Sequence, residues 1–442
     1  MNIQLSDHFT YRRLLRFSLP SIAMMVFTSV YGVVDGLFIS NFVGKLSFAA
    51  VNFIMPALIL LGSLGFMLGT GGSALVGKLL GEGREREANS MFSLLIYLTA
   101  ASGLGVTLLG NLIIEPVAVF LGAGESMLAD CVRYARICLC GMPALMLQYA
   151  FQSFFVTAEK PQLGLYVTVA AGVLNMALDA LLVGLLRLGV AGAALATVAS
   201  QTVGGVAPLL YFFRRNTSLL RLGAARFDGR GVLQALGNGA SEFVSNISMS
   251  VVSMLYNGQL MKYAGEDGVA VYGVLMYVNF IFLAIFIGYS VGIAPVISFH
   301  YGAKNTEELH SLLGKSLRIL AVFACLMLLA GELLARPLSS VFVSYDARLM
   351  DMTLRAFRFF SFSFLFAAVP IFGSSFFTAL NDGFTSAAIS FLRTVVFQIG
   401  AVLLLPLLLG IDGIWLSLVA AELVAAAVTV TFWVRRRKRY HY

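Results

Sequence analysis

The chain has 442 residues, of which 59% are hydrophobic and only 12% are charged. Soluble domains average roughly 25% charged residues, so a water-soluble fold of this composition would expose large apolar patches. The composition therefore predicts an integral membrane protein. The net charge of +8 comes from short connectors and the C-terminal run 435–439. No basic face is interleaved with exposed aromatic residues, which argues against nucleic acid as a partner.

Apolar runs separated by charged or Gly/Pro-rich connectors predict twelve membrane spans. The first run is longer than the roughly 7–15 residues of a signal-peptide core, so we expect it to be retained. The longest polar connector, 214–236, predicts an N-lobe at 1–213, a cytoplasmic linker, and a C-lobe at 237–442 with a basic tail. The predicted spans are 14–40, 51–79, 91–115, 132–158, 162–186, 190–213, 237–263, 272–300, 314–336, 355–380, 386–409 and 412–434.

The two halves resemble each other at a constant spacing of 221 residues. At this spacing the run 155–158 (FVTA) meets 376–379 (FFTA), and the G-x-x-G-x-x-L pattern at 189–195 recurs at 410–416. Compositional bias in membrane helices explains one such match but not several, which favours a duplication. Because six spans is an even number, both halves enter the membrane in the same direction. The predicted fold is all-α, with two parallel six-helix repeats around a central cavity.

Basic residues predict the orientation in the membrane. With the N-terminus inside, the inner connectors and tails carry nineteen lysines and arginines, and the outer connectors carry nine. The positive-inside rule then predicts a multi-pass protein of the cell membrane with both termini in the cytoplasm.

Two acids, Asp35 and Asp179, interrupt otherwise apolar spans. An ionised carboxylate near the bilayer centre costs at least about 2.5 kcal/mol, so each acid needs a polar partner, a cavity or a bound proton. Asn175 lies on the same helix face as Asp179, and Thr197 shares a face with Gln201. At about 1.5 Å per residue, Asp35, Asp179 and Thr197 lie about 12–15 Å below the outer ends of their spans. We expect a single N-lobe site for a proton or a cation such as Na⁺; helix-packing hydrogen bonds are the alternative.

The second half provides an internal control. A shift of 221 residues takes Asp35 to Tyr256 and Asp179 to Gly400. The C-lobe therefore keeps the helices without the acids, so the scaffold alone does not require them.

Three residues of the first span are hinge candidates: Pro20, Gly32 and Gly36. Pro20 removes one backbone hydrogen bond from the helix. The G-x-x-x-G spacing of the glycines favours close helix packing, and freedom to bend is the alternative.

Other polar residues inside the spans either line the central cavity or make packing hydrogen bonds. Glu242, near the inner end of span seven, is equally well explained as an interfacial acid or as a second ion ligand. The cavity candidates are Gln148, Gln152, Gln201, Glu242, Asn246, Tyr256 and Asn279, and Arg393, Glu422 and Asn257 are open to the same two interpretations.

The sequence lacks the spacings of an enzyme or a resident metal. Histidine occurs only at positions 8, 300, 310 and 441, without H-E-x-x-H or a Cys/His ligand pattern. We expect no enzymatic activity, no structural or catalytic metal and no cofactor other than a coupling ion.

These features resemble the multidrug and toxic compound extrusion (MATE) transporters, over nearly the whole chain. The resemblance rests on Leu19-Pro20-Ser21, Asp35, the run 77–83 (GKLLGEG) with Ala88, and Asn175-x-x-x-Asp179. It is closest to the prokaryotic branch with a first-helix Asp. The resemblance implies that Asp35, Asn175, Asp179 and Thr197 form an H⁺ or Na⁺ site. Another branch of the family uses C-lobe acids, and the tenth span here contains none.

The resemblance also implies cation-coupled export of amphiphilic, often cationic compounds by a rocker-switch motion of two lobes. We expect small-molecule substrates, a lipid bilayer as the only other partner, and a monomer. The alternative function is a flippase for a lipid-linked cell-envelope precursor, against which twelve spans and acidic cavity candidates argue. An intramembrane protease or hydrolase using paired acids is a third alternative.

Overall fold

The computed structural model describes residues 3–120, 123–343 and 347–442, and no β-strand occurs in these ranges. The α-helices are α1 Tyr11–Phe38, α2 Lys45–Gly81, α3 Glu85–Phe120, α4 Glu125–Cys140, α5 Met142–Thr157, α6 Pro161–Leu178, α7 Gly189–Phe213, α8 Gly229–Gly302, α9 Thr306–Val343, α10 Ala347–Phe360, α11 Ser363–Ala379, α12 Gly383–Phe391, α13 Ile399–Leu409 and α14 Ile411–Tyr440. Three π-helical stretches interrupt or extend them: Ile39–Val43, Asp179–Leu185 and Leu392–Gln398.

The helices account for the twelve predicted spans. In the described ranges, nine helices are long and apolar enough to cross a membrane, and the bent pairs α4/α5 and α10/α11 raise the number to eleven. The 74-residue helix α8 folds back at Gly265, whose φ of 65° and ψ of −152° are not helical, so it supplies two spans. Only glycine adopts this conformation without strain. The predicted all-α fold with two six-helix lobes is confirmed.

The ends of several elements differ from the prediction. Span four, predicted at 132–158, begins at Glu125 and bends by 58° at Gly141, and span ten is the α10/α11 pair with a bend of 50°. Helix α8 begins at Gly229, so 214–228 is the non-helical part of the predicted linker. Residues 229–236, predicted as part of the linker, belong to α8; the difference arises because composition alone does not separate a helix end from a connector.

Both chain termini lie on one side of the helix bundle, here called the terminal side. Leu5 and Phe9 belong to the same buried apolar cluster as Tyr440 and Tyr442. The opposite side, which carries the turn at Gly265, is called the outer side. The N-lobe comprises α1–α7 and the C-lobe comprises α8–α14.

The lobes approach each other most closely on the terminal side. A methyl group added to Gly71 or Gly239 would collide with backbone atoms of the opposite lobe, at Ala235 and Met67 respectively. The Ser298 hydroxyl donates a hydrogen bond of 2.5 Å to the Ala74 carbonyl across the same contact. Towards the outer side, by contrast, methyl groups on Gly258 and Gly273 of α8 would meet no described atom within 4 Å. The lobes are thus closed on the terminal side.

Helix α1 is shared between the lobes. Near its start, the backbone of Ser18 and Ile22 packs on Gly292 and Gly288 of the C-lobe. Nearer its end, Phe27 and Tyr31 cover Gly172 of the N-lobe helix α6. A change at the outer half of α1 can therefore reach the C-lobe through one continuous helix.

The hinge candidates lie within this helix, which continues through Pro20. A methyl group on Gly32 would meet no described atom within 4 Å, and one on Gly36 would meet only the Phe48 ring at 3.7 Å. The prediction of close helix packing at Gly32 and Gly36, made from their G-x-x-x-G spacing, is therefore wrong for the described residues. A hinge role for these three residues stays a prediction.

Candidate functional site

The predicted site residues stand on three neighbouring helices of the N-lobe. Asp35 is in the last turn of α1, Asn175 is in the last turn of α6, and Thr197 is in α7. Asp179 is the first residue of the π-helical stretch that continues α6. π-helical stretches inside membrane helices frequently mark functional positions, because the extra residue turns a side chain away from the regular helix face.

The side chains of Asp35 and Asp179 are close enough for their carboxyl groups to interact directly. Asp179 is 0% exposed and Asn175 is 1% exposed. Oδ1 of Asp35, Oδ1 of Asn175 and both carboxylate oxygens of Asp179 are buried without a hydrogen-bond partner in the described residues. Two adjacent buried carboxyl groups repel each other when both are ionised, so the pair favours a bound proton or small cation.

Thr197 and one unpredicted residue, Tyr134, complete this cluster. The Thr197 hydroxyl donates to the Ala193 carbonyl at 3.0 Å, which leaves its oxygen lone pairs free to accept. The Tyr134 side chain is fully buried and lies near Asp35, Thr197 and Cys138. Its hydroxyl makes no hydrogen bond within the described part of the chain. We call Asp35, Tyr134, Asn175, Asp179 and Thr197 the N-lobe cluster.

Sequence reasoning missed Tyr134 because it placed the start of span four at residue 132. Helix α4 begins seven residues earlier, at Glu125, so Tyr134 is nine residues into the helix. At about 1.5 Å per residue this is about 14 Å, the depth of the other site residues. The polar beginning of α4 concealed this depth.

Three glutamines extend the polar surface of the N-lobe. Gln148 and Gln152 of α5 are 6% and 4% exposed, and Gln201 of α7 is half-buried. Each has at least one buried side-chain oxygen without a partner in the described ranges. Unpaired buried amides are costly, so polar ligands or water are the expected partners of these groups. Their role in a cavity stays a prediction.

The C-lobe candidates are placed differently. Tyr256 is buried, stacks on Tyr272 and shares a hydrogen bond of 2.6 Å with the Ser417 hydroxyl, which favours the packing role. Asn246 donates to the carbonyl of Glu242, one turn earlier. The half-buried Glu242 and the buried Asn279 oxygen stand inside α8. Their contribution to a cavity is untested.

The strongest buried polar contact of the C-lobe is an ion pair. Arg393 donates to both carboxylate oxygens of Glu422 at 2.7–2.9 Å. Glu422 is 2% exposed. This fork-shaped pairing satisfies the carboxylate, unlike the acids of the N-lobe cluster.

The fold and the cluster together define the class of protein: a multi-pass membrane protein of two six-helix lobes with a buried acidic pair in the first lobe. The MatE family model matches residues 20–181 and again residues 243–404. These matches cover more than half of the chain, which therefore belongs to the MatE family. The second match begins 223 residues after the first, close to the repeat spacing of 221.

Relatives and solved structures resemble the chain over its whole length. Multidrug export protein MepA of Staphylococcus saprophyticus is 24% identical over 430 residues, covering 97% of this chain and 94% of the relative. MepA of Staphylococcus aureus strain MRSA252 is 23% identical with the same coverage. The outward-facing conformation of a multidrug resistance MATE family transporter of the MOP superfamily superposes with a TM-score of 0.93, at 22% identity, over 100% of this chain and 98% of that one. A MOP superfamily transporter from Pyrococcus furiosus, with a binding pocket described as having reverse polarity, gives 0.91 at 21% identity and covers 98% of both chains.

Proposed function

We propose that this protein exports amphiphilic, often cationic organic compounds in exchange for H⁺ or Na⁺. The observation that carries the proposal is the proximity of the Asp35 and Asp179 carboxyl groups in the N-lobe cluster, where Oδ1 of Asp35 and both oxygens of Asp179 are buried without hydrogen-bond partners among the described residues. A buried pair of carboxyl groups is costly without a bound proton or cation. Coupled transport requires the pair to bind this ion in one conformation of the protein and to release it in the other. The export of drugs by the MepA relatives supports the substrate class.

The way the lobes contact each other supports a mechanism of alternating access. With the terminal side in the cytoplasm, as the basic residues predict, the close contacts around Ala74 and Ser298 seal the inner side. The structure then corresponds to an outward-facing state. Transport requires these contacts to part while the outer halves of the lobes close. Helix α1 provides the link, because it carries Asp35 at its N-lobe end and packs on the C-lobe near its start.

The test is gradient-driven efflux of a fluorescent organic cation from vesicles that contain the purified protein. We expect an imposed pH or Na⁺ gradient to drive transport by the wild type. Asp35→Asn and Asp179→Asn should each lower the gradient-driven rate at least about tenfold and change dye binding by less than about twofold, since the dye binds elsewhere. A tenfold lower rate corresponds to an activation free energy that is about 1.4 kcal/mol higher.

The matched control is Asp351→Asn, which removes an exposed acid of α10. It should transport as the wild type does. Undiminished gradient-driven transport in both N-lobe variants would refute the coupling role of the cluster. Comparing a pH gradient with a Na⁺ gradient in the wild type identifies the coupling ion.

A further inference from the structure

The residues before α1 form a separate structural feature on the terminal side. Residues 3–10, here called the N-terminal segment, lie against both lobes, and the side chains of Leu5 and Phe9 are fully buried. These two side chains share one apolar cluster with Val156 of the N-lobe and with Leu309 and Leu312 of the C-lobe. Chain ends are usually poorly ordered unless something holds them. The contacts of this segment with each lobe are therefore informative.

The C-lobe holds the segment through the first turns of α9. The Glu308 carboxylate is 7% exposed; it pairs with Nδ1 of His8 at 2.6 Å and accepts a hydrogen bond from the Phe9 amide at 2.9 Å. Lys315, two turns later, donates to the Phe9 carbonyl at 2.5 Å. Both polar groups of the Phe9 backbone are thus bound by charged side chains of the C-lobe.

The N-lobe holds the same segment through Glu159. This residue lies in the short connection between α5 and α6 and has a φ of 59°, a conformation uncommon for a residue with a side chain. Its carboxylate accepts a hydrogen bond of 2.6 Å from the Leu5 amide. Hydrogen bonds to a carboxylate are stronger than neutral ones, particularly when partly buried. Only three residues of chain therefore separate Leu5, which is anchored on one lobe, from Phe9, which is anchored on the other.

The two anchors cannot both persist when the lobes part on this side. Glu159 moves with the N-lobe and Glu308 with the C-lobe, while the start of α1 packs on the C-lobe at Gly288 and Gly292. The C-lobe anchor is the larger, with three polar contacts against one. Release is therefore expected at Glu159.

We propose that the N-terminal segment is a latch that holds the two lobes together on the terminal side and releases Glu159 before that side opens. This rests on the proposed function only in requiring that the terminal side opens during transport. The latch adds to the direct lobe contacts around Ala74, and it sets how often the closed side opens.

Opening can be measured by labelling a thiol at the lobe contact. Ser298 is 0% exposed and touches Ala74 of the opposite lobe, so a cysteine there becomes reactive only when the lobes part. The background is Ser298→Cys with the two exposed native cysteines replaced, as Cys140→Ser and Cys325→Ser. Glu159→Ala should increase the maleimide labelling rate at least about threefold. Glu159→Gln keeps a neutral oxygen acceptor for the Leu5 amide and should label at a rate closer to the background than to that of Glu159→Ala.

The other anchor has its own pair of variants. Glu308→Ala should increase labelling as Glu159→Ala does, and Glu307→Ala, which removes the exposed neighbouring acid, should not. Leu5→Ala tests the latch from the segment itself and should also raise the rate. It replaces Glu159→Ala if that variant does not yield monodisperse protein.

Background labelling rates in Glu159→Ala, Glu308→Ala and Leu5→Ala would overturn the latch. A rate in Glu159→Gln as high as in Glu159→Ala would overturn the role of the Leu5 hydrogen bond. The proposed function is tested by a different measurement. It is refuted by unchanged gradient-driven transport in Asp35→Asn, whatever the labelling rates are. Fast labelling of the unlatched variants together with coupled transport supports both.

Discussion

The N-lobe and the C-lobe distort their helices at matching places. The α4/α5 pair bends by 58° and the α10/α11 pair by 50°. The glycines at 189 and 410 adopt φ values of 62° and 60°. Each lobe also contains a seven-residue π-helical stretch in its fifth span, but at different positions, because Asp179 corresponds to Gly400, which lies after the stretch Leu392–Gln398. The matching bends and glycines belong to the scaffold and not to the chemistry, because the C-lobe keeps them without the acids.

The lobes differ in how they treat buried polar groups. In the C-lobe, Glu422 is paired with Arg393 and Tyr256 is bonded to Ser417. In the N-lobe cluster, Asp179 and Tyr134 have no hydrogen-bond partner within the described residues. Since unpaired buried polar groups are costly, the presence of several of them in the N-lobe cluster indicates a place for a ligand. In the C-lobe, Glu422 and Tyr256 have partners within the protein, as polar groups that stabilise helix packing do.

The largest effect is expected from breaking the C-lobe ion pair. Glu422→Ala leaves the Arg393 charge buried and unpaired, which should lower the free energy of unfolding by about 3–5 kcal/mol. Thermal unfolding of the detergent-purified protein measures this loss. The double variant Arg393→Met with Glu422→Leu should recover most of it, because no unpaired charge remains. A double variant as unstable as the single one would contradict the explanation.

Removal of one tyrosine hydroxyl from each lobe sharpens the comparison. Tyr256→Phe loses the hydrogen bond to Ser417 and should destabilise the protein by about 1 kcal/mol. Tyr134→Phe removes a hydroxyl that has no described partner and should leave stability unchanged or slightly raised. Both are measured by the same thermal unfolding. Equal losses in the two variants would show that the Tyr134 hydroxyl is satisfied in the resting protein.

The acidic pair should behave in the opposite way from the ion pair. Asp179→Asn removes one of two adjacent acids, so the free energy of unfolding should fall by less than about 1 kcal/mol and can rise. The same variant should lower the gradient-driven transport rate at least about tenfold. The measurement is unfolding and transport on one preparation, with Glu422→Ala alongside. A stability loss as large as that of Glu422→Ala would place Asp179 among the packing residues.

The smallest expected effect is the change with pH in how often the latch at Glu159 releases. Burial raises the pKa of the Glu159 carboxyl, and the hydrogen bond from Leu5 offsets part of this rise; Asp7 raises it further and Lys160 lowers it. A released, solvated Glu159 has its ordinary value of about 4.3. The proton therefore binds better to the latched state. This stabilisation of the latched state is complete at a pH below the ordinary pKa of Glu159, and it is lost as the pH rises through the raised pKa.

Labelling of the Ser298→Cys background tests this sign. We compare the labelling rate of the Ser298→Cys background with that of the same background carrying Glu159→Gln. The ratio of the first rate to the second should rise, by less than about twofold, as the pH increases from the ordinary to the raised pKa of Glu159. The reactivity of the thiol and the charges of the nearby His8, His300 and Glu308 are common to both proteins and cancel in the ratio. A ratio that falls as the pH rises would contradict the conclusion that the proton binds better to the latched state.

Much of the fold was predictable because membrane helices obey a local rule. Each span needs about 20 apolar residues, so composition locates it without knowledge of its neighbours. Helix ends were less accurate: the polar starts of α4 and α8 were assigned to connectors, and the fold-back at Gly265 was seen only as a gap between spans. The site was half predictable, since Asn175 and Asp179 share a face by helical periodicity, while Tyr134 was missed.

The sequence by itself determined that the protein is a duplicated bundle of membrane helices and that Asp35 and Asp179 have no acidic counterparts in the second half. Hydropathy, repeat spacing and helical periodicity are local properties of the chain, which is why they could be read directly. Only the tertiary structure decided that the carboxyl groups of Asp35 and Asp179 meet, that Glu422 is paired, and that the N-terminal segment joins both lobes. Those outcomes depend on how each helix is rotated about its axis against its neighbours, which the packing of distant residues sets.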